Sequence, residues 1–142
     1  MEIVNTLAFW LHFVGLALGG VAAFGIPLTA ARIHGAEPAG RPALAQVIQV
    51  FSKAGSAGIG TLILTGLIMT FTKLDGFAGQ SPWFHAKLAL VVVLVGVIVV
   101  NKKLGAKAMQ GDAKAAVVAR KMSMVGILLL AGIIFSAVKA FG

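Results

Sequence analysis

"LHFVGLALGGVAAFGIP", residues 11–27, decides the fold. It is apolar throughout except for one imidazole, His12. At 100° per residue Gly15, Gly19, Ala23 and Ile26 fall within about 60° of that imidazole, on one helix face. Extended to 3–30, the run exceeds the roughly 20 residues that carry a helix across a hydrocarbon core of about 30 Å. Three further apolar runs, 46–71, 83–100 and 122–141, do the same. No segment alternates with the period of two that a barrel strand needs, so helices are the way across. The expected fold is all-α: an integral membrane four-helix bundle, with residues 1–142 as a single membrane domain.

Composition agrees. Of the 142 residues 59% are hydrophobic and 11% charged, against about 25% charged in soluble domains. Mean hydropathy is +1.00. There is no cysteine, hence no disulfide framework and no thiolate metal site. The formal charge of +8 is unevenly spread. Arg32 and Arg41 lie in the first connection, and Lys102, Lys103, Lys107, Lys114, Arg120 and Lys121 in the third, "NKKLGAKAMQGDAKAAVVARK" (residues 101–121). The second connection, "KLDGFAGQSP", has only Lys73 and an Asp75-Gly76 turn signal, and the C-terminal end only Lys139. Basic residues stay cytoplasmic, so both termini are expected on the outer, periplasmic side of a bacterial inner membrane. The charge then belongs to topology and anionic lipid, not to nucleic acid. Glu2 stands where a signal peptide carries basic residues and His12 interrupts the apolar run, so the first helix is expected to be retained.

Polar residues inside a span are costly and are functional hypotheses by default. His12 has two readings. It is a ligand, with glycines making a flat bed for a macrocycle beside it, or it is a buried histidine hydrogen-bonded to a neighbouring helix. The glycines likewise divide between a cofactor bed and close helix packing. His85 and Lys87 open the third helix about 200° apart, where interfacial anchoring accounts for both. Lys87 and Lys139 could together form a basic rim for a ligand carrying carboxylates, porphyrin propionates among them. Lys53 can snorkel, His34 is solvated, and Met69, Met122 and Met124 read as packing. The carboxylates, Glu2, Glu37, Asp75 and Asp112, all lie at ends or in connections, so a proton-coupled exporter has no embedded acid. No Ser-His-Asp set, phosphate loop or two-histidine zinc motif is present.

Several of these positions resemble a family: the HemJ-type protoporphyrinogen oxidases and the related CopD-like membrane proteins. His12 is followed fifteen residues later by Pro27, with Arg32 and His34 close behind. "WFHAK" resembles the family's Trp and Lys at the start of helix three through Trp83 and Lys87, and "AVKAF" its Val-Lys ending through Lys139. The chain departs from the pattern at Ile98, where HemJ proteins carry a further histidine, at Leu28 and at Gly19.

The resemblance implies a haem b- or porphyrin-binding protein. His12 is then the metal ligand, Gly15 and Gly19 lie beside the ring, and Lys87, Lys139 and Arg32 anchor carboxylates. In the HemJ branch it implies an oxidoreductase of porphyrin biosynthesis, with a porphyrin substrate and a membrane electron acceptor. With Ile98 in the family's histidine position, the options are five-coordinate iron, His85 as substitute ligand, or no haem. A homodimer could supply a ligand from a second copy. The CopD branch implies instead a non-enzymatic, copper-related transport or scaffold protein without haem.

Overall fold

The computed structural model describes residues 2–74, 76, 78 and 80–141, and for Lys73 and Phe141 the backbone alone. Among these the chain forms four helices: α1 (Glu2–Ile33), α2 (Arg41–Lys73), α3 (Pro82–Met109) and α4 (Ala113–Phe141). Each is long and apolar enough to cross a membrane. Large apolar side chains stand on the outside, Trp10 at 61%, Val92 at 72% and Leu128 at 72% exposure, as lipid requires of a surface that water would reject. The chain is an all-helical, multi-pass membrane protein. It divides into two compact units, residues 1–78 and 79–142, each a helical hairpin.

In the first hairpin the helices run antiparallel in a fixed register. Asn5 faces Thr72 and His12 faces Thr65. Gly19 faces Gly58, and Ala22 faces Gly55. The residue numbers of each pair total 77. Asn5, His12 and Gly19 are seven apart, as are Gly58, Thr65 and Thr72, while Ala8, Gly15 and Ala22 are buried between them. A seven-residue repeat keeps one seam facing the partner through a left-handed crossing.

The backbones approach most closely at two glycines. A Cβ on Gly15 would stand 2.9 Å from the Gly58 carbonyl oxygen, and one on Gly58 would stand 2.7 Å from the Gly15 oxygen and 2.8 Å from the Gly19 nitrogen. Only a residue without a side chain fits there. Pro27 sits inside α1 without ending it; a missing N–H is tolerated in lipid when neighbouring groups adjust.

The second hairpin is built differently. Leu94 and Val97 lie at ordinary contact distance, 3.9 Å, from a Cβ built on Gly126, and Leu90 at 3.5 Å from one on Gly132. Trp83 and Phe135 meet edge to face at 5.9 Å. Asn101 Nδ2 donates to Ser123 Oγ at 2.9 Å, and Ser123 donates in turn to the Ala119 carbonyl at 3.0 Å. The Asn101 Oδ1 atom is buried with no hydrogen-bond partner. α3 begins at Pro82, after Ser81, whose hydroxyl accepts from the Phe84 N–H at 3.3 Å. This is the N-cap and first-turn proline arrangement of a clean helix start.

The largest correction concerns the third connection. Residues 101–121 are not a long loop: α3 continues to Met109 and α4 starts at Ala113. Gly111 turns the chain at φ +96°, a conformation that other residues rarely adopt. Asp112 Oδ1 then accepts from the Ala115 N–H at 3.0 Å. Bilayer thickness limits the apolar run, not the helix, so the Lys- and Ala-rich ends remain helical beyond the apolar core. The Asp75 half of the Asp75-Gly76 turn and the Lys73 side chain lie outside the described residues, while Gly76 has φ +96°.

Gly58→Ala should therefore lower the stability of the first hairpin by about 1–3 kcal/mol through overpacking against backbone. Gly60→Ala, whose Cβ would meet nothing within 4 Å, should leave it unchanged or slightly raised. Thermal unfolding of both variants in detergent compares them.

Candidate metal site

His12 lies ten residues into α1, about 15 Å along its axis, and its ring is partly buried against α2. Its Nδ1 stands 2.9 Å from Thr65 Oγ1. Thr65 is buried, 3% exposed, and its hydroxyl stands 2.6 Å from the Thr61 carbonyl and 3.4 Å from that of Leu62. A carbonyl only accepts, and a hydroxyl has a single proton to donate. The short Thr61 contact takes that proton, so Thr65 Oγ1 accepts from His12 Nδ1–H. In the neutral ring the lone pair then sits on Nε2, the tautomer in which imidazole binds metals through Nε2.

The ring lies over Gly66: a Cβ built on that residue would stand 3.7 Å from His12 Cε1. One heptad toward the start of α1, Thr72 Oγ1 donates to Asn5 Oδ1 and lies 2.8 Å from the Ile68 carbonyl. The seam therefore carries two polar pairs between α1 and α2. Beside that end, Glu2, Asn5, Thr6 and Phe9 line a shallow depression of about 470 Å³. Among the described residues no three His, Cys, Asp or Glu side chains converge.

The other expected site residues are placed as follows. Gly15 and Gly19 lie on the same α1 face as His12; Gly15 is packed on α2, whereas a Cβ on Gly19 would meet nothing within 4 Å. The α1–α2 contact takes up the Gly15 part of that face. The hydrogen bond to a neighbouring helix, one of the two readings of His12, is present. Arg32 is in the last turn of α1 and exposed, twenty residues or about 30 Å along the helix from His12.

His85, Lys87 and Lys139 belong to the other hairpin. His85 is exposed and its Nδ1 lies 3.2 Å from the Ser81 carbonyl, which can only accept, so its Nδ1–H is committed to its own helix start. Lys87 is partly buried, and Lys139 is exposed in the last turn of α4. The family model of copper resistance protein D (CopD) matches residues 45–140, about two thirds of the chain. The chain belongs to the CopD family.

No curated protein and no solved structure matches it significantly. The CopD match covers Thr65 and the second hairpin as far as residue 140 but begins after α1, so His12 comes from outside the matched segment. Nothing in these matches extends to protoporphyrinogen oxidases.

Thr65 was not visible as a site residue because a threonine in an apolar run reads as an ordinary helix residue bonding its own backbone. The seven-residue spacing of Gly58, Thr65 and Thr72, set against Asn5, His12 and Gly19, is the signal that finds it. In protein with ¹⁵N-labelled histidine, the His12 resonances should report the Nδ1–H tautomer. Thr65→Ser should keep it and Thr65→Val should lose it, with the Val variant less stable by about 0.5–1.7 kcal/mol, the range for side-chain bonds between membrane helices.

Proposed function

We propose that this CopD-family chain handles copper ions in the membrane as a non-enzymatic transport or scaffold protein, with His12 as the imidazole donor. The observation that carries this reading is the His12–Thr65 bond at 2.9 Å. It orients an imidazole inside an apolar span and leaves Nε2 as the basic nitrogen. Copper accepts imidazole readily, and its monovalent form favours soft, neutral donors in low coordination number. That preference suits a chain whose described residues bring no three ionisable or imidazole ligands together. The family points the same way.

The distribution of basic residues supports an orientation. Lys102, Lys103, Lys107, Lys114, Arg120 and Lys121 are all exposed around the α3–α4 turn. By the positive-inside rule that turn and the α1–α2 turn face the cytoplasm, and both termini face out. The start of α1, with Glu2 at the rim of its depression, then opens toward the outer side. A carboxylate there favours the approach of a cation.

Purified protein in detergent should retain Cu(I) against a chromogenic Cu(I) chelator under reducing conditions. His12→Ala should weaken retention by at least about 100-fold, a direct ligand mattering more than the outer partners whose loss costs about 10–100-fold. Wild-type protein that yields all its Cu(I) to the chelator, or that carries a Soret band abolished by His12→Ala, overturns the reading.

A further inference from the structure

We propose that Met69 is the second donor beside His12, so that one imidazole and one thioether hold a monovalent copper ion in the seam between α1 and α2. The proposal rests on the copper reading of His12 and names the group that completes it.

The register places Met69. Leu62 is packed on Gly15 and Gly55 on Ala22, and these α2 positions are seven apart. The next member of the series is Met69, and the register sets it opposite Ala8. Ala8 is 5% exposed, although its own side chain is a single methyl group. Met69 is itself partly buried, as a side chain covering Ala8 would be.

Direction follows from helix geometry. The Cα–Cβ bond of a helical residue tilts toward the helix N-terminus, so a long side chain covers the turn before its own Cα. For Met69 that turn is Thr65–Gly66. It is the turn on which His12 lies, with Nδ1 on Thr65 and Cε1 3.7 Å from the Cβ position of Gly66. Nε2 is bonded to Cε1, so the basic nitrogen belongs to the ring edge beside Gly66. Within 4 Å of a Cβ at Gly66 the only side chain is that of His12, so glycine leaves room over that turn, and three rotatable bonds would let Met69 bring its sulfur there.

The chemistry fits a monovalent ion. Thioether and neutral imidazole add no charge, so a bound Cu(I) brings a single positive charge into the helix pair with no ionised ligand. A thioether selects Cu(I) over the harder divalent ions.

The test uses the full chain in detergent, loaded with Cu(I), with chelator competition and copper X-ray absorption fine structure as readouts. Wild-type protein should show one sulfur scatterer together with imidazole scattering. Met69→Leu, a volume-conserving change that leaves the apolar packing intact, should remove the sulfur scatterer and weaken Cu(I) by about 10–100-fold. The melting temperature of the metal-free protein should not change. Because the chain has 5 methionines, a second variant with Met109, Met122 and Met124 changed to Leu and Met69 kept should retain the scatterer. If wild-type protein binds Cu(I) through His12 with nitrogen or oxygen scatterers only, and Met69→Leu binds equally well, Met69 is overturned while the reading of His12 stands. If wild-type protein binds no Cu(I), both fall.

Discussion

The first hairpin depends on one contact, the backbone approach of α1 and α2 at Gly15 and Gly58. Lipid tails are as apolar as the side chains they touch, so burial from water does little to hold two membrane helices together. Close packing and interhelical hydrogen bonds do it instead. Each glycine α-carbon lies so near the opposite carbonyl that a Cβ would fall within 3 Å of it. Shifting one helix along the other by a residue would bring side chains to a place with no room for them. The register is therefore fixed by shape, and everything polar along the seam inherits it. His12 reaches Thr65, and Thr72 reaches Asn5, because the glycines between and beyond them hold the spacing.

The second hairpin has no such contact. Its glycines at 126 and 132 accept leucine and valine side chains at ordinary distances, and one polar pair, Asn101 with Ser123, links the helices near the turn. Six of its basic residues, Lys102, Lys103, Lys107, Lys114, Arg120 and Lys121, gather at the turn end, where water and lipid headgroups can solvate them, while Lys87 and Lys139 lie toward the other end. The two hairpins thus differ in what they can do. The first places neutral donors at membrane depth. The second carries most of the positive charge and has an apolar interior. The unpartnered Asn101 Oδ1 is the one buried polar atom among the described side chains without a bond.

Membrane spans were legible from the sequence because hydrocarbon thickness acts on composition alone, so four apolar runs become four helices without knowledge of any contact. Helix ends were not. Residues 101–109 and 113–121 continue as helix past the apolar runs, since Lys, Ala and Leu favour helix in water as well as in lipid. Only Gly111 and Asp112 mark the turn. His12 could be recognised as the one imidazole deep in a span, and helix packing was already one reading of its glycines. Their partner was not readable: contact between Gly15 and Gly58 is a property of two segments some forty residues apart. One helix shows which residues share a face, but not whether a ligand or another helix covers it. Met69 was read as packing because thioethers are common in apolar helices, and only the register gives it a position beside an imidazole.

The same register limits what chemistry the seam can support. The described carboxylates Glu2, Glu37 and Asp112 stand at helix ends or in turns, and the Asp112 carboxylate already caps α4. A divalent ion drawn to membrane depth would bring its charge into a medium where an unpaired charge costs several kcal/mol, with no anionic ligand beside it. A monovalent ion brings half that charge, and the desolvation of an ion rises with the square of its charge. Thr65 adds a second constraint. Its only proton goes to the Thr61 carbonyl, so it holds the imidazole by accepting, and the ring presents one basic nitrogen in a fixed direction. A single oriented nitrogen suits a low-coordinate soft cation. It does not suit a carboxylate-rich divalent site.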